Sequence, residues 1–79
     1  MTYVYLLQSI ETRERFYVGV TDDLRVRMIA HNTGQVRHTS KYKPWRLNTY
    51  IGFSDKSRAI AFEKYLKTQS GRAFARKRL

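Results

Sequence analysis

The chain has no cysteine, one proline, four glycines and only six acidic residues among its 79. Without cysteine it forms neither a disulfide nor a thiolate metal site, and this fits a reducing cytoplasm. A magnesium-type site stays open, because that ion needs only oxygen ligands. No apolar run approaches the length that spans a bilayer. Residues 2–7 are apolar, but the stretch is short, Gln8 interrupts it and no basic residue precedes it, so an export signal is not expected. The expectation is a cytoplasmic protein with no membrane segment. It should form a single domain, residues 1–79, since this length leaves no room for a second core. A chain this short buries only roughly 60% of its unfolded surface, so its stability margin is thin.

Positive charge is what the chain has in excess. Sixteen Lys and Arg against six Asp and Glu leave a formal charge of +10 and a pI near 10.4. Such an excess repels itself in the compact state, and a polyanionic partner gives a reason to keep it. Nucleic acid is favoured over an anionic membrane surface or an acidic protein.

Residues 3–8 are rich in aromatic and branched side chains and read as a strand. Residues 9–15 are polar and form a turn, and residues 16–20 return as a second strand. Period-2 alternation puts Tyr3 and Tyr5 on one face and Val4 and Leu6 on the other. Tyr17 and Gly19 share a face of the partner strand, and a register with Tyr5 opposite Tyr17 would gather both phenols beside the bare Gly19. Thr21-Asp22-Asp23 reads as a helix start, a cap followed by acids in the first turn, with the helix running to about Asn32 and stopping at Thr33-Gly34. Leu24, Met28 and His31 form its stripe, and Arg27 and His31 are an i,i+4 pair.

Residues 35–46 carry Arg37, Lys41, Lys43 and Arg46 with Tyr42 and Trp45 interleaved, and Pro44 argues for a loop with at most a short helical turn. Residues 47–53 are the third strand, with Leu47, Ile51 and Phe53 on one face. A second clear helix is expected over about 55–69, striped by Ala59, Phe62 and Leu66. Ser70-Gly71 ends it, and residues 72–79 form a basic tail, helical or frayed. The order β-β-α-β-α predicts an α+β fold, a small three-stranded, mostly antiparallel sheet flanked by helices.

Five of the six acids have ordinary structural work at helix starts or in the turn. Glu63 does not, because helical spacing sets it inside the apolar stripe, where an unpaired carboxylate is costly. It is either ion-paired, with Lys67 or an arginine, or it ligates a divalent metal of the kind held by one or two carboxylates plus water and phosphate. Arg27 is one of many cations, but near two tyrosine strands its guanidinium suits a phosphate. His31 reads as a packed histidine or, beside Arg27, as a group that orients phosphate or carries a proton. Tyr5 and Tyr17 are core aromatics or proton acceptors, and Gly19 is a bulge or a clearing for an approaching backbone. The basic loop and Lys67 supply phosphate contacts, with Tyr42 or Trp45 for base stacking.

Together these residues resemble the GIY-YIG nuclease superfamily. Tyr3-Val4-Tyr5 stands for the first triplet, with tyrosine in place of glycine, and Tyr17-Val18-Gly19 for the second. Arg27, His31 and Glu63 follow in the family's order, over nearly the whole chain. The likeness is to the compact, stand-alone bacterial branch, which is similar to the nuclease domain of the excinuclease C subunit. It implies a DNA endonuclease, in a repair setting, with one Mg²⁺ or Mn²⁺ on Glu63. It also implies Arg27 at the phosphate and Tyr5 or Tyr17 as proton acceptor from the attacking water. With so small a footprint, single-stranded, nicked or branched DNA is the expected substrate. The rivals are a nucleic-acid-binding module that does no chemistry and an adaptor on an acidic protein.

Overall fold

The computed structural model describes residues 1–79. Strands β1 (Thr2–Ser9), β2 (Phe16–Thr21) and β3 (Trp45–Phe53) form one antiparallel sheet in the order β2-β1-β3. Helices α1 (Leu24–Asn32) and α2 (Arg37–Ser40) precede β3, and α3 (Lys56–Leu66) and α4 (Gln69–Arg78) follow it. The expected α+β layer is present, with two more helices than the five-element order.

The β1–β2 register differs from the expected one by two residues. Tyr5 faces Gly19, and Leu7 faces Tyr17. A shift of two preserves the face of every side chain, so the phenols still share a surface. The Tyr5 ring occupies the space that a side chain on residue 19 would fill: a Cβ there would collide with the Tyr5 hydroxyl.

Alternation along β1 divides the interior into two clusters. Val4 and Leu6 point to one face and pack with Ala59 and Leu66 of α3, joined by Val18, Val20, Phe62 and Ala75. Tyr5 and Leu7 point to the other face and pack with Trp45, joined by Tyr17 and by Leu24 and Met28 of α1. The third strand does not keep one phase. Leu6 pairs with Thr49 but Leu7 pairs with Leu47, so Asn48 is an extra residue in the ladder. Such a bulge reverses the alternation: Leu47 joins Trp45 on the tyrosine face, and Ile51 and Phe53 lie on the valine face instead of beside it.

Side-chain caps set the starts of α1, α3 and α4, the first of them two residues later than expected. Asp23 rather than Thr21 caps α1, accepting from the Val26 amide at 3.1 Å, and the first turn then holds no acid. Asp22 instead accepts from the Thr2 hydroxyl at 2.7 Å and pairs with Lys56 at 3.2 Å, tying β1, α1 and α3 together at one corner. The helix α1 stops where Gly34 takes φ +80°, the left-handed conformation that glycine tolerates best.

Ser70-Gly71 does not end a helix. The α3 helix closes at Leu66, and extended Thr68 starts α4, its hydroxyl accepting from the Gly71 amide at 3.1 Å. Gly71 is buried in the first turn, where a Cβ would run into the Tyr65 carbonyl. The residue is needed for close approach, not for termination. The basic tail is therefore a packed helix, with Phe74 set against Phe62 and Tyr65.

Candidate active site

Four predicted residues meet on the tyrosine face. Tyr5 and His31 are both fully buried, and the Tyr5 hydroxyl lies 2.8 Å from His31 Nε2. Tyr17, half-buried, completes the aromatic cluster: its ring centroid is 5.1 Å from that of His31 and 6.4 Å from that of Tyr5. His31 reaches these rings because helical spacing places it in the Leu24–Met28 stripe that α1 lays on the sheet.

Arg27 stands one turn earlier on α1, directed at the two phenol oxygens. It forms no well-made hydrogen bond with either, and its buried Nε has no partner in the protein. A buried N–H left open in this way is costly unless something arrives to accept from it. The Tyr5 hydroxyl beside it, followed by the charge of any phenolate there, strengthens the guanidinium's hold on its proton. Burial, outweighing the help from Arg27, pushes the Tyr5 phenol above its usual range, and Tyr17 and Glu63 push the same way. Burial and then Arg27 hold His31 down to about 4, so its imidazole is neutral at physiological pH.

Glu63 comes from α3, the helix on the opposite face. It is nonetheless close enough to Tyr5 for its charge to disfavour the phenolate. Its Oε2 is ion-paired with Lys67, whose Nζ stands 6.0 Å from the Tyr17 ring centroid. Since β2 is an edge strand, side chains from α3 can reach past it to the tyrosines. Arg27 and Glu63 thus act on the same phenol from different helices. The ion pair with Lys67, one of the two alternatives for Glu63, is present, and Oε1 is left without a side-chain partner.

The other nucleic-acid candidates divide. Arg37, Lys41, Lys43 and Arg46 are all exposed around α2 and the start of β3. Arg46 donates to Gln8 Oε1 at 3.0 Å and borders a small cavity with Arg13. Lys67 is drawn to Glu63 and belongs to the site more than to an open basic surface. The clearing at Gly19 is filled by Tyr5, so it receives the phenol and not a substrate backbone. Trp45 is buried, its indole N–H donating to the Thr39 carbonyl at 2.8 Å, which removes it as a stacking surface. Tyr42 is already capped by the Arg15 guanidinium at 4.7 Å from its ring centroid.

One residue of the cluster escaped sequence reasoning. Thr39, in α2, is buried with its hydroxyl 2.7 Å from His31 Nδ1. Nothing local marks it, because the contact crosses the Gly34 turn.

Comparison with known proteins identifies the family. The family described as the GIY-YIG catalytic domain matches residues 1–78. The chain is 38% identical over 69 residues to a UPF0213 protein of Lacticaseibacillus paracasei, covering 86% of this chain and 75% of that one. It is 38% identical over 65 residues to the structure-specific endonuclease subunit SLX1 homolog of Giardia intestinalis, covering 77% of this chain but only 18% of the relative's length. A UPF0213 protein of Bacillus halodurans, solved by solution NMR, superposes with a TM-score of 0.58 at 26% identity, covering 98% of this chain and 84% of that one. With the family pattern spanning almost every residue, and two phenols, Arg27, His31 and Glu63 drawn to one corner of the sheet, the chain belongs to the GIY-YIG nuclease family.

Proposed function

We propose that the chain is a divalent-metal-dependent endonuclease that hydrolyses DNA phosphodiester bonds, preferring single-stranded, nicked or branched substrates. The observation that carries this reading is the buried Arg27 Nε without a partner, facing two phenols within reach of a nearly buried carboxylate. An anionic phosphate oxygen is the acceptor that such an N–H lacks. The small footprint and the structure-specific Giardia relative support the substrate preference.

Glu63 is the single acid at the site, and the protein has no cluster of three metal-ligating side chains. That fits Mg²⁺ or Mn²⁺, which commonly rests on one or two carboxylates and takes water and phosphate for the rest of its shell. Glu63 would hold the ion through its free oxygen, and the ion would supply Lewis acidity and lower the pKa of bound water. Arg27 binds the scissile phosphate and offsets the charge that develops on it. Tyr17, the phenol that meets solvent, is placed to take the proton of the attacking water. Tyr5, buried, backs it and anchors Arg27. The exposed basic residues Arg37, Lys41, Lys43 and Arg46 steer the strand towards the site. A cytoplasmic repair role fits the absence of cysteine, and a protein partner that delivers substrate fits the subunit designation of the Giardia relative.

One observation favours a second reading, a nucleic-acid-binding module that does no chemistry: Glu63 is already neutralised by Lys67. Labelled single-stranded, duplex and branched DNA, incubated with Mg²⁺, Mn²⁺ or EDTA, separates the two. Cutting that needs metal and disappears in Glu63→Ala and Arg27→Ala supports the enzyme. Salt-sensitive binding by all three proteins, with no cutting, supports the module.

A further inference from the structure

Beyond the predicted residues, the cluster holds a continuous chain of polar atoms. With Arg27 directed at its outer end, it runs from the Tyr5 hydroxyl over 2.8 Å to His31 Nε2, from His31 Nδ1 over 2.7 Å to the Thr39 hydroxyl, and over 3.3 Å to the Val36 carbonyl. Tyr5, His31 and Thr39 are all at most 1% exposed, so no bulk water can substitute for a missing link. Both ends of the chain are chemically fixed. A guanidinium only donates, and a carbonyl only accepts.

One polarity satisfies every link. The Thr39 hydroxyl donates to Val36 and accepts from His31 Nδ1–H, which leaves Nε2 to accept from the Tyr5 hydroxyl. The phenol oxygen then keeps its lone pairs for Arg27 and the reaction site. The reverse polarity aims His31 Nε2–H and the Arg27 donors at the same phenol oxygen and leaves the Tyr5 proton to find a partner elsewhere. It also breaks the bond to Val36.

We propose that Thr39 is a positioning residue for the reaction: it holds His31 in the Nδ1–H tautomer, so that Tyr5 turns its proton inward and presents only an acceptor towards the Arg27 that binds the phosphate. Thr39 itself is held from behind. The Trp45 indole donates to its carbonyl, and its hydroxyl lies in the turn closed by its own amide on Val36. A neutral histidine fixed by the partner of its other nitrogen is the usual way in which a surrounding residue chooses a tautomer. The tautomer assignment stands on geometry alone, while its consequence for hydrolysis rests on the nuclease reading above.

The test is ¹⁵N NMR of the His31 ring in the full chain, beside cleavage kinetics, for the wild type, Thr39→Val, Thr39→Ser and Tyr5→Phe. The wild type is expected to show Nδ1 protonated and Nε2 bare at neutral pH. Thr39→Val should shift the ring towards the Nε2–H tautomer and lower kcat about tenfold with KM little changed, as expected when one positioned hydrogen bond is lost. Thr39→Ser should restore both. In Tyr5→Phe the Nδ1–H tautomer should persist, because Thr39 and not the phenol selects it. A wild-type ring protonated at Nε2, or a tautomer that changes in Tyr5→Phe but not in Thr39→Val, overturns the proposal. Should no protein in the set cut DNA, the nuclease reading fails while the ring signals still decide the role of Thr39.

Discussion

The two faces of the sheet take alternate residues from the same strand, yet they are built of different materials. On one face Val4 and Leu6 meet Ala59 and Leu66 through apolar contact alone. On the other, Tyr5 meets Tyr17, His31 and Trp45, and the buried groups are joined by hydrogen bonds with one N–H, Arg27 Nε, left open. The first face can be made from any well-fitting hydrocarbon, since burial is non-directional. The second tolerates little change, because each buried polar atom depends on its neighbour for a partner. Under the proposed function the chemistry falls on the α1 side, with Glu63 and Lys67 reaching it from the α3 side.

That division is open to direct attack. The largest effect expected is on rate: Arg27→Ala or Glu63→Gln should lower kcat on labelled branched DNA by roughly 10²–10³-fold. The urea midpoint should stay near that of the wild type, and a matching loss of stability would erase the distinction between the faces. Leu66→Ala should do the converse. It empties part of the apolar cluster and should cost about 2–5 kcal/mol in urea denaturation, with activity per folded molecule preserved.

Gly19→Ala lies where the phenol has no room to retreat. Overpacking there should cost about 1–3 kcal/mol, and adding Tyr5→Phe should recover part of the stability in thermal melts without recovering cleavage. Protonation supplies a fourth comparison. His31 has a folded-state pKa of about 4, below its ordinary value of 6.5, so the unfolded chain binds the proton more readily. Its contribution is complete above pH 6.5 and is lost as the pH falls towards 4. Between pH 7 and 5 this amounts to about 2 kcal/mol, and a difference in urea stability of that size should be absent from His31→Asn. The smallest effect belongs to a cap. Thr68→Ala should lower the melting temperature through a loss of about 1 kcal/mol, with the tyrosine-face resonances unmoved.

Much of this architecture was legible in the sequence, for identifiable reasons. The order of strands and major helices follows from period-2 and helical patterning, and Glu63 stood out because its spacing put a charge in an apolar stripe. Tyr5, Tyr17, Arg27 and His31 form a set only through their resemblance to the family's two triplets and the residues that follow them. What escaped was decided by tertiary contact. The extra residue at Asn48 reverses the alternation of β3 without any glycine or proline to announce it. Gly71 looked like a helix terminator, whereas Thr68 supplies the break and the glycine serves only to let α4 approach Tyr65. The basic, aromatic stretch 35–46 suggested stacking surfaces, but the fold buries Trp45 and covers Tyr42 with Arg15. Composition reports which side chains are available, not which of them the core consumes.

Under the proposed function, groups from both helical layers meet at one corner of the tyrosine face and hold a divalent ion there. Titrating ¹⁵N,¹³C-labelled protein with Mn²⁺ tests it most directly, since paramagnetic broadening falls steeply with distance from the ion. The expected result is loss of signals from Glu63, Tyr17, Tyr5 and the Arg27 side chain at lower Mn²⁺ than those of the rest of the chain, and no such pattern in Glu63→Gln. Broadening centred on the α4 helix or on the Asp22 corner, with Arg27 and Tyr17 untouched, would contradict it.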